Sequence, residues 1–170
     1  KTIWVNCWRS IKMKNKKWCW WWQLLLIIRA PIWMIFGTLV FLVMLFYPHK
    51  KMYWDKNMLC IETLDKEGWG GFEAGWCKVV CHNPDIWLLA HESGHQIQMM
   101  LMGDLSFLVS FLPSVVRYWY ITFHPKYDKP YDYAWFEGTA SQWGRQLYLA
   151  DYDYDWIAER RKWDEQHNTK

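Results

Sequence analysis

Long apolar runs, punctuated by short charged ones, divide the chain. Trp18-Cys19-Trp20-Trp21-Trp22 leads through Gln23 into Leu24-Leu25-Leu26-Ile27-Ile28; Arg29-Ala30-Pro31 interrupts; Ile32 to Tyr47 then carries no charge. The pattern predicts an apolar membrane anchor over residues 18–47. It is either a single tilted pass kinked at Arg29 and Pro31 or a re-entrant hairpin that turns there. The second run alone is near the lower limit for crossing a hydrocarbon layer of about 30 Å. Residues 1–17 hold Lys1, Arg9, Lys12, Lys14, Lys16 and Lys17 and no acid, and His49-Lys50-Lys51 follow the apolar runs. Basic residues on both flanks predict that both ends lie on the cytoplasmic side. No A-x-A site follows, so a cleaved signal peptide is not expected. The opening Lys1 fits a fragment or a processed form.

Beyond the anchor the periodicities change. Met58 to Leu64 predicts one short strand, and Phe72 with Trp76-Cys77-Lys78-Val79-Val80-Cys81 predicts a second. Gly68-Trp69-Gly70-Gly71 marks a turn between them, so a small β-hairpin is expected. Asn83-Pro84 then reads as an N-cap with proline in the first turn, and Asp85 adds first-turn charge. Ile86, Leu88, Leu89, Ile97, Met100 and Leu101 make a mostly apolar helix that Gly103 stops. Leu105 to Phe123 is apolar but broken by Pro113 and Arg117; it either dips into a bilayer or completes the core. A second helix is expected around Trp135 to Gly144. The tail, 151–170, reads as a charged, solvated helix. The resulting divisions are 1–17, a basic cytoplasmic flank; 18–47, the anchor; 48–150, the functional domain; and 151–170, the tail. The fold class is mainly α, in the α+β sense.

Composition sharpens this picture at two points. Among 170 residues there are 16 Trp, 10 Tyr and 8 Phe, an aromatic loading suited to a membrane–water interface. A net charge of only +3 does not point to nucleic acid as a partner. Cys7, Cys19, Cys60, Cys77 and Cys81 form no disulfide framework and are expected as reduced, packed thiols.

The chemistry concentrates in Ala90-His91-Glu92-Ser93-Gly94-His95-Gln96-Ile97-Gln98, which carries H-E-x-x-H. His91 and His95, at i and i+4 on a helix, project from one face and can share one zinc ion. Glu92 lies about 100° round the helix from His91, where a carboxylate reaches a water without ligating the metal. A third ligand is required. A metzincin would have Gly and His where this chain has Gln98 and Leu101, so that class is excluded. Glu137, followed by the small residues Gly138, Thr139, Ala140 and Ser141, is the leading candidate, because such residues let two helices approach closely. His124, Asp128 and Asp132 are the competitors. Ser141, one turn after Glu137, is placed to hydrogen-bond the far nitrogen of a ligating histidine.

The run H-E-x-G-H-x-I-Q, then Gly103-Asp104-Leu105 and Leu112-Pro113-Ser114, then Glu137-x-x-Ala140-x-x-x-Gly144, resembles a group of small, membrane-associated bacterial H-E-x-x-H proteins regarded as metallopeptidases. Trp22-Gln23 fits the same pattern, and the resemblance covers roughly residues 20–147. Its metal half resembles the gluzincins. The resemblance implies a minimal zincin core with two metal-bearing helices, one zinc ion on His91, His95 and Glu137, and Glu92 as general base. It further implies a membrane location, a peptide or protein substrate, and an edge strand that holds the peptide. Two departures stand: Ser141 where gluzincins often have Asp, and Met102-Gly103-Asp104-Leu105-Ser106 where Leu-Gly-Pro-Leu-Tyr is usual. His124, Tyr131 and Tyr133 are the candidate oxyanion donors. Two other classes stay open: an intramembrane protease of the site-2 type, and a non-catalytic metal-binding membrane protein.

Overall fold

The computed structural model describes residues 18–56, 58–65, 69–124, 126, 129–148 and 154–167, with side chains from residue 21 onward. The basic flank 1–17, the turn residue Gly68, the competing ligand Asp128 and the side chains of Cys7 and Cys19 lie outside the described residues. The architecture is mainly helical with one small mixed sheet, the α+β class that the periodicities predict.

Helices α1 (Trp18–Arg29) and α2 (Pro31–Phe46) meet at a bend of 113°. Proline at the first position of α2 cannot continue the hydrogen-bond ladder of α1. A reciprocal pair of caps then sets the angle. Arg29 Nη2 donates to Leu101 O at the end of the metal-motif helix, 2.9 Å away. Asp104 Oδ1 accepts from the backbone N–H of Ile32 (3.1 Å) and of Trp33 (3.3 Å), groups with no partner inside α2. Among the described residues no single helix is long and apolar enough to cross a membrane.

The sheet corrects the expected hairpin. Four strands, β1 (His49–Asp55), β2 (Met58–Thr63), β3 (Gly71–Ala74) and β4 (Cys77–Val80), lie in the order β1-β2-β4-β3. The two predicted strands, β2 and β4, run parallel to each other, and each forms an antiparallel hairpin with a strand not foreseen as separate. Strand β1 escaped notice because His49-Lys50-Lys51 read as a membrane flank. In the fold, Lys51 Nζ lies 3.1 Å and Lys50 Nζ 3.4 Å from the carboxylate of the buried Glu62. Burial works against charge on Glu62, but the Asn83 N–H and both lysines overcome it and hold its pKa below the usual value.

Helix α3 (Ile86–Met102) carries the H-E-x-x-H motif. Its N-cap is Asp85, whose carboxylate accepts from Leu88 N at 2.7 Å, and not Asn83, which takes a left-handed φ of 51°. The helix stops at Gly103 (φ 63°) as expected; a Cβ there would stand 2.4 Å from Arg29 O. A tight turn (Gly103–Leu105) and a π-helical turn (Phe107–Phe111) then lead into α4 (Leu112–Phe123). After a 3-10 turn at Tyr131–Tyr133 come α5 (Trp135–Tyr148) and α6 (Trp156–His167).

Two apolar clusters close the interior. Trp22, Leu26, Ala30 and Trp33 pack with Ile97 and Met99, joining α1 and α2 to α3; Met44 with Ile61, Ala74, Cys77 and Val79 joins α2 to the sheet. Cys60, Cys77 and Cys81 are buried free thiols. A fully buried lysine ties the layers together: Lys78 Nζ lies 2.6 Å from Asp55 Oδ2, 3.0 Å from Leu89 O, 2.9 Å from Ser93 Oγ and 2.9 Å from Tyr148 OH. Such a charge is tolerated only when every donor is used.

Helices α3 and α5 touch backbone to backbone. A Cβ on Gly94 would stand 1.8 Å from Ala140 O, and one on Gly144 would stand 1.7 Å from Ala90 O. Ala140 thus does what the small residues after Glu137 were expected to do, and Gly144, not among them, makes the second close contact. Gly138 faces the other way, against Asp132 O and Trp156. Gly144→Ala should destabilise the fold by about 3 kcal/mol or more, since neither helix can yield without moving the other. Chemical denaturation in detergent measures it; a cost under about 0.5 kcal/mol, the range of ordinary surface changes, would contradict this packing.

Candidate metal centre

The α3–α5 contact sets His91, His95 and Glu137 facing each other. Glu137 Oε2 lies 3.1 Å from His91 Nε2 and 3.3 Å from His95 Nε2, and the two Nε2 atoms are 3.1 Å apart. A tetrahedral ion with metal–ligand bonds of about 2.0–2.1 Å would space its donors by about 3.3 Å, so three corners of such a polyhedron are present. Glu137 is fully buried, and its Oε2 faces the two imidazole nitrogens. Its other oxygen accepts from Ser114 Oγ. The group can hold a metal ion.

The surrounding hydrogen bonds dictate the chemistry of the two imidazoles. Ser141 Oγ donates its single hydrogen to Asp132 Oδ1 (2.8 Å), so it must accept from His91 Nδ1, also at 2.8 Å. Gln98 Nε2 donates to Phe136 O (2.5 Å) and Thr139 Oγ1 (2.6 Å), which points Gln98 Oε1 at His95 Nδ1, 2.9 Å away. Ser110 Oγ donates to the same oxygen at 2.5 Å. Both rings therefore carry their proton on Nδ1 and turn bare Nε2 lone pairs toward a carboxylate oxygen. Three lone pairs at one point repel unless a cation lies between them.

Burial opposes charge on His95, but the hydrogen bond and charge of Glu137 overcome it and raise the ring's pKa to about 9. Burial likewise opposes charge on Glu137, yet hydrogen bonds with His91 and His95 hold its carboxyl far below the usual range. Glu92, also buried, stands beside this group without joining it. Burial pushes its pKa up, against the lowering pull of His91 and His95.

The other expected site residues divide. Tyr131 stays at the site, its ring edge-on to His91 at 5.7 Å and its hydroxyl 3.4 Å from Ser114 Oγ. His124 and Tyr133 turn elsewhere. His124 Nδ1 pairs with Tyr120 O at 2.8 Å on its own helix, and Tyr133 OH donates to Asp164 Oδ1 at 3.0 Å. Asp132, considered as a ligand, instead takes the Ser141 hydroxyl and that of Tyr154 (2.6 Å). Through Ser141 it sets a carboxylate behind His91. Gln96, Gln98, Ser110 and Ser114 were not foreseen. Only the i, i+3 spacing of His95 and Gln98 hinted at one of them. Gln96 Oε1 accepts from Trp22 Nε1 at 3.1 Å, tying α1 to the motif. The site opens into a cleft of roughly 1000 Å³, walled by α3, β3 and α4.

Comparisons with protein-family models, with curated proteins and with solved structures find no match for this chain.

Metal binding should expel a proton. A proton on His95 must leave before Nε2 can ligate, so apparent affinity should rise with pH up to about 9 and level off above it. Calorimetry at pH 7.5 in buffers of different ionisation enthalpy should report release of about one proton per ion. A pH-independent affinity would contradict the arrangement.

Proposed function

We propose that this chain is a zinc-dependent peptidase working at a membrane surface. The observation that carries the reading is the set of three converging lone pairs on His91, His95 and Glu137, with a buried carboxylate, Glu92, left over beside them. Two nitrogens and one oxygen at these separations suit zinc and leave a further position open. A zinc ion so held would lower the pKa of a coordinated water and polarise a peptide carbonyl.

The chain's own groups supply the rest. Glu92, its basicity raised by burial, accepts the water's proton and returns it to the departing amine. Ser141 and Asp132 keep His91 in the tautomer that offers Nε2, and Gln98 does the same for His95. Tyr131, a neutral hydroxyl beside His91, is the donor best placed for the developing oxyanion. A ligand set closed by a glutamate from α5, rather than by an aspartate within an apolar segment, favours the gluzincin-like reading over the site-2 type.

The membrane part rests on side chains that no packing within the described residues covers. Ile28 is 76% exposed on α1, Phe46 90% on α2 and Phe123 71% on α4, with Ile32, Ile35, Val43 and Trp119 also more than half exposed. Apolar surface of this extent suits lipid at the interfacial level, with aromatic rings at the headgroups. The basic flank 1–17 argues for the cytoplasmic side.

Glu92→Gln tests the reading. The variant should bind zinc like the parent and lose about 10²–10⁴-fold in peptide hydrolysis, the range for removing a general base. Glu137→Ala should lose the metal itself. Undiminished hydrolysis by Glu92→Gln would end the proposal.

A further inference from the structure

The cleft holds a second buried carboxylate that the hydrolytic steps leave without a task. Glu73 lies on β3 two positions after Gly71, so both face the same side of the strand. That side meets Glu92: a Cβ on Gly71 would stand 3.3 Å from Glu92 Oε1. Glu73 lines the same cleft as Glu92 and His95. It is 5% exposed, and its Oε1 has no hydrogen-bond partner, although the Gly75 N–H serves the carboxyl. Lys78, directly across the β3–β4 register, gives its ammonium to Asp55, Leu89 O, Ser93 and Tyr148 instead. The titratable groups felt by Glu73 are thus Glu92 and His95, and His95 is turned to the metal group. A buried carboxylate with an idle oxygen is costly until a cation arrives. Burial, the main cause, pushes the Glu73 pKa up to about 8, and an incoming ammonium would draw it back down.

The strand also has an end. β3 is an outer strand of the sheet, and α2 seats on its hairpin end. A Cβ on Gly37 would stand 2.3 Å from Ala74 O, and one on Gly75 would stand 2.4 Å from Trp33 O. A peptide adding antiparallel to β3 runs from the Ala74 end toward the Gly71 end. Its amino terminus therefore comes to rest near Glu73, against α2, and its following bond lies toward Glu92.

We infer that Glu73 receives the free α-ammonium of the substrate, making this chain an aminopeptidase; the inference rests on the peptidase reading above. An ammonium can also come from a lysine side chain, and the experiment separates the two. The full chain, zinc-loaded in detergent, is titrated with leucine hydroxamate and with its des-amino analogue, 4-methylpentanoyl hydroxamate. Quenching of tryptophan fluorescence reads binding, since Trp33 and Trp69 line the cleft. The amino compound should bind about tenfold tighter or more, and Glu73→Gln should abolish the difference. Equal affinities in the parent chain overturn the proposal whether or not the variant folds, as does a preference that survives in Glu73→Gln.

Cleavage supplies the second arm. Nα-acetylation of a peptide should raise KM about tenfold or more for the parent and not for Glu73→Gln, while acetylation of a lysine side chain should change nothing. Sensitivity to lysine acetylation alone overturns the α-ammonium assignment. Amine-dependent binding with no cleavage of any peptide would support Glu73 as an ammonium site and count against the peptidase reading.

Discussion

The candidate site depends on a contact between two backbones. Gly94 and Ala90 on α3 meet Ala140 and Gly144 on α5 so closely that a single added methyl at either glycine would overlap a carbonyl oxygen. Side chains that ligate one ion from two helices have little length to spare, so the helix separation decides whether they meet. The glycines fix that separation, and it brings Glu137 within 3.1 and 3.3 Å of the two imidazoles. The remaining layers hold the pair in register. Lys78 joins the sheet to both helices from below, and the Arg29 and Asp104 caps fasten α1 and α2 to the far end of α3.

Around the convergence, polar side chains are arranged so that each has one possible role. Ser141 has one hydrogen and gives it to Asp132, so His91 must donate to Ser141. Gln98 has both amide hydrogens committed to α5, so its oxygen must face His95. Determinacy of this kind pre-organises ligands and removes the alternative tautomers that would weaken a metal. Burial raises the pKa of Glu92 and of Glu73, one beside the ligand group and one on the strand that borders it.

Much of the site was legible in the chain. The i, i+4 histidines, Glu92 between them and Glu137 before a run of small residues announced themselves by spacing, because helical geometry maps such spacings directly onto one face. Gly103 was legible as a stop for the same local reason. What escaped depended on distance in the chain. Asp132 joins the site only because a tight turn folds it back over Ser141. Gln96 matters because Trp22, far upstream, packs against it. Strand β1 was hidden by its lysines, whose partner Glu62 lies on a neighbouring strand. The parallel pairing of β2 with β4 was invisible because alternation along a strand is the same whichever neighbour it takes. The N-cap fell to Asp85 rather than Asn83 because both residue types cap equally well and only the chain's path chooses between them.

The most direct measurement of the central claim is X-ray absorption at the zinc edge of the metal-loaded protein. Convergence of His91, His95 and Glu137 on one ion predicts two imidazole nitrogens and the balance in oxygen, all at about 2.0–2.1 Å. Sulfur scatterers at about 2.3 Å, or a shell with fewer than two imidazoles, would contradict it.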